Sequence, residues 1–165
     1  MTELLFSDDS YLKTIEAKIL KIDGHAIITD RTIFYAESGG QPGDNGEIKL
    51  NDQILKVSDT KKGNTPNEIL HIVDGEFDEG IIGKDVELSI NWDWRYELMK
   101  MHTSCHILCG IIDASITGAS VGNEKSRIDF DVDPSLLNKE ELNQQIETII
   151  KDDHQIILNE ISGDE

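Results

Sequence analysis

The sequence predicts an α+β protein, with a small β-barrel at its N-terminal end and an α/β domain after it. Residues 11–90 alternate short Ile- and Val-rich segments with turn sequences, which is the pattern of strands and their connections. From Asn91 onward the apolar residues recur at steps of three and four instead, which indicates helix. We therefore divide the chain into a barrel domain, residues 1–92, and a second domain, residues 93–165.

The barrel domain contains seven segments with the length and rough alternation of β-strands. They are KTIEAKILKID, HAIITD, TIFYAES, GEIKL, ILKVSDT, EILHIVD and VELSINW. Turn sequences such as PGDNG and KKGNTPN lie between them. Six or seven short strands at regular spacing are typical of a small barrel or sandwich, and ILHIVD is expected to pair with a neighbouring strand.

The second domain opens with a helix predicted over residues 93–114, with Asp93 or Asn91 as its N-cap. Its apolar positions follow helical spacing. They are Trp94, Leu98, Met101, Cys105, Leu108 and Ile112. A loop and a strand at residues 127–132 are expected next.

A second helix is predicted after this strand. Asp133 is a suitable cap and Pro134 suits the first helical position. The apolar residues that follow form one amphipathic face. Beyond this helix, IILNEIS (residues 156–162) is expected to begin another strand.

Composition limits the class of protein. The net charge is −18, from 33 acidic and 15 basic residues, which argues against a broad basic face for nucleic acid. No apolar run is long enough to span a membrane, and the N-terminus has acidic residues where a signal peptide needs basic ones. Both cysteines lie on one short segment, a poor basis for a disulfide framework. We expect a cytoplasmic protein without membrane association.

The stretch MHTSCHIL is the first candidate site. At about 100° per residue, His102, Cys105, His106 and Cys109 fall within an arc of roughly 100° on a helix. Imidazole nitrogen and thiolate are preferred zinc ligands, and two histidines four residues apart can chelate one ion. The structural alternative is that the cysteines are buried small apolar residues and the histidines simply pack or face solvent.

A zinc site needs further ligands, and the sequence leaves their identity open. A structural site uses four protein ligands and a catalytic site three. The other histidines, His25, His71 and His154, are not paired with a Cys or His at ligand spacing. One of the two cysteines, a distant histidine, or residues beyond Glu165 could each complete the site.

The second candidate site is the stretch RTIFYAESGGQPGDNGEI. Gly39 and Gly40 permit a tight turn, which is by itself the ordinary signature of a hairpin connection. Several polar side chains accompany the glycines, more than a connection requires. They are Glu37, Ser38, Gln41 and Asp44.

Together these stretches resemble a known family. T-x-F-Y-x-E-S-G-G-Q-x-x-D-x-G at Thr32 to Gly46 and M-H-T-x-x-H at Met101 to His106 resemble the editing region of alanyl-tRNA synthetase. The chain is more closely similar to the free-standing alanyl-tRNA editing proteins of the AlaX type, in the form with an N-terminal barrel. SRIDFDVD resembles the strand that follows the metal helix in that family, so the resemblance covers nearly the whole chain.

The resemblance implies an ATP-independent hydrolase that supports translation fidelity. It would remove serine or glycine wrongly esterified to tRNA(Ala), with Zn²⁺ as cofactor. The resemblance implies that His102 and His106 bind zinc, together with a Cys-x3-His pair near the end of the domain. This sequence contains no Cys-x3-His and ends where the family would continue towards it. We therefore expect a fragment of a longer protein.

Further site residues are candidates under the same editing hypothesis. Zinc would either orient the substrate or lower the pKa of a bound water. Thr117, in the loop after the metal helix, is the candidate reader of the serine hydroxyl, and Thr103 is the second choice. Gly39, Gly40 and Gln41 would shape the approach of the RNA end. Lys100, Lys125 and Arg127 are candidates for phosphate contact, although each could be an ordinary solvated charge.

Two alternative functions remain open. One is a non-catalytic RNA-binding or structural module derived from an editing domain. The other is editing of a different aminoacyl-tRNA, such as Ser-tRNA(Thr). The oligomeric state does not follow from the sequence.

Overall fold

The computed structural model of the chain describes residues 1–75 and 77–157. The strands are β1 (Glu3–Leu4), β2 (Thr14–Asp23), β3 (Ala26–Thr29), β4 (Arg31–Thr32), β5 (Gly46–Leu50), β6 (Gln53–Lys62), β7 (Ile69–Val73), β8 (Asp85–Ile90), β9 (Ile116–Ser120) and β10 (Arg127–Phe130). The helices are α1 (Leu5–Asp8), α2 (Trp92–Ile111) and α3 (Lys139–Lys151), with 3₁₀ turns at Glu79–Ile81 and Pro134–Leu136.

Six antiparallel strands close into a barrel in the order β2, β3, β7, β6, β5, β8. Alternate residues point inward, as in β8, where Val86, Leu88 and Ile90 are buried between more exposed neighbours. The barrel interior contains most of the buried apolar side chains. Burial of one such side chain contributes about 1.5–3 kcal/mol, so this interior is the main source of stability. The predicted α+β class with an N-terminal barrel is confirmed.

The segment TIFYAES is the main error in the strand prediction. Only Arg31–Thr32 forms a strand, β4, which pairs in parallel with β1. After β4, the backbone N–H groups do not pair with a neighbouring strand. The N–H of Phe34 donates to the Thr32 hydroxyl, and the N–H of Tyr35 donates to the Asp44 carboxylate. Side chains therefore satisfy this backbone, and Ile33 and Phe34 are both fully buried rather than alternating.

A histidine lies in the barrel interior. His71 on β7 is fully buried; its Nδ1 donates to the carbonyl of Ile27, and its Nε2 accepts from the hydroxyl of Thr32, both at 2.8 Å. Burial lowers the pKa of His71 to about 4, so the ring is neutral at physiological pH. Its polar atoms are satisfied within the barrel, so His71 is a core residue and not a missing metal ligand.

The second part of the chain follows the predicted order with shifted boundaries. Helix α2 begins at Trp92 because the side chain of Asn91 accepts from the backbone N–H of Trp94, so Asn91 rather than Asp93 is the cap. The predicted strand is β10, and it pairs with β9, a strand that sequence analysis had placed in a loop. Glycine and small residues in β9 gave no strand pattern.

The second long helix starts later than predicted. Asp133 accepts from the backbone N–H of Ser135 and caps only the 3₁₀ turn that contains Pro134. Asn138 caps α3 by accepting from two backbone N–H groups, so the helix begins at Lys139. Of the predicted strand IILNEIS, Ile156 and Ile157 have no regular structure and the rest lies outside the described residues. No helix in the described part of the chain is long and apolar enough to cross a membrane.

Candidate active site

A tight hairpin forms the barrel side of the site. Ser38 and Gln41 exchange backbone hydrogen bonds of 3.1 and 3.0 Å across a two-residue turn. Both turn residues have positive φ, +59° at Gly39 and +78° at Gly40, as a type I′ turn requires. The glycines are therefore needed for the turn itself.

Gly40 also brings the hairpin against the second part of the chain. Its carbonyl accepts from the backbone N–H of Val121 at 2.8 Å. A Cβ atom added at Gly40 would lie 2.8 Å from the carbonyl oxygen of Ala119, whereas one added at Gly39 would meet nothing within 4 Å. The two glycines thus have different roles: both form the turn, and only Gly40 permits close packing.

A buried ion pair fixes the end of this loop to helix α2. The Asp44 carboxylate accepts from the Arg95 guanidinium, whose Nε lies 3.0 Å from each carboxylate oxygen. The exposed fractions of their side chains are 0% and 3%. Arg95 also donates to the carbonyls of Ser10 and Ile33, so all of its buried polar groups are used.

A second contact reinforces this attachment. The indole N–H of Trp94, one residue before Arg95, donates to the carbonyl of Gly43 at 3.2 Å. Because the hairpin and the first turn of α2 are joined in this way, the barrel fixes where the next turns of the helix lie.

The hairpin and the helix meet at His102. The Nδ1 of His102 is 2.7 Å from the Oε1 of Gln41, whose side chain is only 5% exposed. The rings of His102 and His106 stack with centroids 4.9 Å apart and planes 15° from parallel. The two predicted histidines therefore face the same way, and Gln41 of the hairpin contacts one of them directly.

The electrostatics favour a neutral imidazole at His102. Burial and the neighbouring His106 both lower its pKa below the ordinary value. An amide oxygen can only accept a hydrogen bond, so Nδ1 of His102 carries the proton and donates to Gln41. In the neutral ring, Nε2 then keeps a free lone pair. Metal-binding histidines have this arrangement, with one ring N–H held by a second group and the other nitrogen available.

The donor set meets part of the requirements of zinc. Two imidazoles, one oriented by Gln41, suit two positions of a zinc coordination sphere. Cys105 is half-buried, and burial is the main reason why the pKa of its thiol is raised, which disfavours thiolate. Among the described residues no group of three or more His, Cys, Asp or Glu side chains is placed to hold a metal ion. The described residues therefore offer two candidate ligands, His102 and His106, and zinc binding stays a prediction.

The other predicted residues lie on α2 and around the β9–β10 hairpin. Thr103 is half-buried next to His102 on α2. Thr117 is on strand β9 and not in a loop, because the residues around it pair with β10; its hydroxyl donates to the carbonyl of Asp129 at 3.2 Å. Lys125 is exposed, and Arg127 is exposed with its Nε 3.3 Å from the carboxylate of Asp129.

Arg95 is the site residue that sequence analysis missed. It is assigned no role in the sequence analysis. However, it lies three residues before Leu98 and seven before His102, on the inward face of the helix. An arginine on that face requires a buried partner, and the isolated polar residue Asp44 in the glycine loop was the available signal.

Comparison with known proteins identifies the family. The family model for class II (A) tRNA synthetases matches residues 7–94. The AlaX-L alanyl-tRNA editing protein of Pyrococcus horikoshii is 37% identical over 97% of this chain and 41% of its own length. The AlaX-M protein of Methanosarcina mazei is 35% identical over 100% of this chain and 70% of its own length. This chain belongs to the AlaX family of alanyl-tRNA editing proteins.

The AlaX-M protein of Pyrococcus horikoshii is similar to the same extent, at 37% identity over 84% of this chain and 64% of its own length. The chain thus spans between 41% and 70% of the length of these three AlaX relatives. The expected family resemblance is confirmed. The hairpin, the ion pair and the stacked histidines described above are therefore structural features of an AlaX chain.

Proposed function

We propose that this chain acts in trans as an aminoacyl-tRNA deacylase, which hydrolyses the ester of tRNA(Ala) wrongly charged with serine or glycine. The contact between Gln41 and His102 carries the proposal. It joins the two family motifs, 61 residues apart, into one polar site. Family membership supports the same reading, since the relatives are alanyl-tRNA editing proteins. Such hydrolysis needs no ATP and takes place where tRNA is charged, in the cytoplasm.

His102 and His106 would hold Zn²⁺ in this proposal. When bound, zinc supplies Lewis-acid chemistry, either orienting the ester or lowering the pKa of a water molecule. Gln41 keeps the proton of His102 on Nδ1, so that Nε2 would be the nitrogen that binds zinc. Burial of Gln41 excludes water from this hydrogen bond and holds the ring in one orientation.

A hydroxyl group near the site would distinguish serine from alanine. A site that hydrogen-bonds the substrate hydroxyl discriminates far better than a pocket that relies on shape. Thr117 and Thr103 are the two proposed readers. Thr103 adjoins His102, whereas the hydroxyl of Thr117 already donates to the carbonyl of Asp129 and keeps its lone pairs for a substrate donor.

The RNA phosphates would be contacted by few basic groups. Lys125 and Arg127 lie around the β9–β10 hairpin, and part of the charge of Arg127 is balanced by Asp129. With a net charge of −18, the chain would bind tRNA weakly and locally.

Deacylation of charged tRNA tests the proposal. The purified chain, supplied with zinc, is expected to release serine from Ser-tRNA(Ala) and to leave Ala-tRNA(Ala) intact, measured by loss of acid-precipitable labelled amino acid. His102→Ala is expected to reduce the rate by at least about 100-fold. The matched control is His154→Ala, which removes an exposed histidine paired with Asp152.

Two further substrates and one metal assay separate the alternatives. Gly-tRNA(Ala) and Ser-tRNA(Thr) measure substrate range, and faster turnover of Ser-tRNA(Thr) would contradict the tRNA(Ala) assignment. Zinc content, measured by atomic emission, is expected to fall in His106→Ala. A chain that binds tRNA without deacylating any of these substrates would instead be the non-catalytic module.

A further inference from the structure

Two lysines and two aromatic rings form a continuous stack at the start of helix α2. The rings of Trp92 and Tyr96 lie 5.4 Å apart and 22° from parallel. The Nζ of Lys13 is 4.4 Å from the centroid of the Trp92 ring, and the Nζ of Lys100 is 5.2 Å from that of Tyr96. We call these four side chains the aromatic stack.

The aromatic stack is more exposed than stability requires. Tyr96 of the stack is 41% exposed. Tyr11, a neighbour of the stack whose ring tilts against Trp92 at 5.5 Å, is 61% exposed. Trp92 is partly buried against the barrel, which fixes the base of the stack. Stacked aromatic rings with an open outer end, accompanied by ammonium groups, are the arrangement by which proteins bind single-stranded nucleic acid.

The aromatic stack is aligned with the candidate active site. Trp92, Tyr96, Met99, Thr103 and His106 follow one another at steps of four, three, four and three residues, so they lie along one stripe of α2. Tyr96 and His106 are ten residues apart, which corresponds to about 15 Å along the helix axis. At about 3.4 Å per stacked nucleotide, this is the length of roughly four nucleotides of single strand.

We propose that the aromatic stack binds the single-stranded 3′ end of the RNA substrate, a few nucleotides before the esterified terminus at His102 and His106. This inference rests on the proposed function, because that function brings an RNA terminus to the histidines. A base would stack on the outer face of Tyr96 and displace the Lys100 ammonium that lies over this ring. Lys100 and Lys13 would then reach the phosphates on either side.

The local charges explain why stacking rather than charge would provide most of the affinity. Lys100 is paired with Glu97 at 2.6 Å, and Asp93 is exposed on the same turn. The two lysines are thus matched by two carboxylates and these groups carry no net charge, so the electrostatic contribution is limited. Base stacking does not depend on charge and tolerates any sequence, which suits an acidic protein that binds a common RNA terminus.

Fluorescence titration with uncharged RNA tests this site independently of catalysis. The probe is an RNA hairpin with an unpaired 3′ overhang of roughly four nucleotides. The control RNA is the same hairpin with a blunt end. The chain has two tryptophans, Trp92 in the stack and Trp94 beside it. The tryptophan emission of the wild type is expected to be quenched by the overhang RNA and unaffected by the blunt RNA.

Two pairs of variants isolate the aromatic stack. Tyr96→Leu removes the ring and is expected to raise the Kd for the overhang RNA at least about fivefold, whereas Tyr96→Phe keeps the ring and restores binding. Lys13→Ala is expected to reduce the slope of log affinity against log salt by about 0.7, while Lys139→Ala, an exposed lysine on α3, leaves it unchanged.

An unchanged Kd in Tyr96→Leu, with its fold verified by circular dichroism, would overturn the proposal, as would equal binding of the blunt hairpin. Because the probe is not aminoacylated, these outcomes do not depend on deacylase activity. Conversely, overhang binding that needs Tyr96 in a chain without deacylase activity would support the aromatic stack and contradict the proposed reaction.

Discussion

The barrel and the helical part of the molecule differ in how they are held together. The barrel buries a continuous interior of fourteen apolar residues between Ala17 and Ile90. In the described part of the chain after Ile90, three buried apolar residues remain, Leu98, Ile112 and Val121, and α3 buries none of its side chains. The stability of the described chain therefore comes mainly from the barrel.

This difference explains where the site lies. Gln41 is carried by a hairpin attached to the barrel, and His102 is carried by the part of α2 that extends beyond it. The buried pair between Asp44 and Arg95 connects the two. A well-packed region thus positions polar groups for a region that packs less tightly, which is the usual relation between a scaffold and a functional site.

The largest effect is expected from the barrel interior. Phe34→Ala removes a fully buried ring and is expected to lower the free energy of unfolding by about 3–5 kcal/mol. Ile146→Ala, on the half-exposed face of α3, is expected to cost about 1 kcal/mol or less. Urea unfolding followed by circular dichroism compares them, and equal losses would show that α3 contributes as much as the barrel.

Breaking the buried ion pair is the next test. Arg95→Met leaves the Asp44 carboxylate buried without its partner, so a loss of about 3–5 kcal/mol is expected in urea unfolding. The double variant Asp44→Asn/Arg95→Met should recover part of it. Lys151→Met, which breaks the exposed pair with Glu147, serves as control and is expected to change stability by less than about 0.5 kcal/mol. Similar losses of stability in Arg95→Met and Lys151→Met would contradict the connecting role of Asp44 and Arg95.

His71 makes the stability of the barrel depend on pH. The unfolded chain takes up a proton near pH 6.5, whereas the folded state takes it up only near pH 4. The contribution of His71 to the free energy of unfolding is therefore complete above pH 6.5. About 3 kcal/mol of it is lost as the pH falls from 6.5 to about 4. Urea unfolding at several pH values should show this dependence in the wild type and in His25→Gln, which alters an exposed histidine. His71→Gln should flatten it; an unchanged slope would assign the dependence to other groups.

The smallest predicted effects concern the two glycines of the hairpin. Gly39→Ala places an alanine at positive φ and is expected to cost about 1 kcal/mol. Gly40→Ala has the same strain and also a contact of 2.8 Å with the Ala119 carbonyl, so it should cost more and reduce deacylation further. Stability and deacylation rate are measured for both variants. Equal effects would mean that the hairpin does not depend on close packing against β9.

The sequence predicts those elements whose pattern is local. GEIKL alternates cleanly and is β5, residue for residue. TIFYAES also has the pattern of a strand, but contacts from distant residues satisfy its backbone. The N-terminal boundary of α3 was wrong because Asp133 and Asn138 are both good caps, and the sequence alone cannot rank them.

The same distinction applies to the site. His102 and His106 are four residues apart on one helix, so their common direction follows from helical geometry. The contact of Gln41 with His102 depends on how the barrel packs against α2, and no spacing rule predicts it. Arg95 was missed for the same reason, because its partner Asp44 is 51 residues away.

A double-mutant cycle on Gln41 and His102, measured as the rate of Ser-tRNA(Ala) deacylation, tests most directly whether hairpin and helix form one site. Gln41→Ala is expected to reduce the rate about 10–100-fold, because the ring of His102 loses its orienting partner. If the two residues act as a unit, Gln41→Ala should have little further effect once His102 is already alanine. Independent, multiplicative losses in the double variant would contradict a shared site.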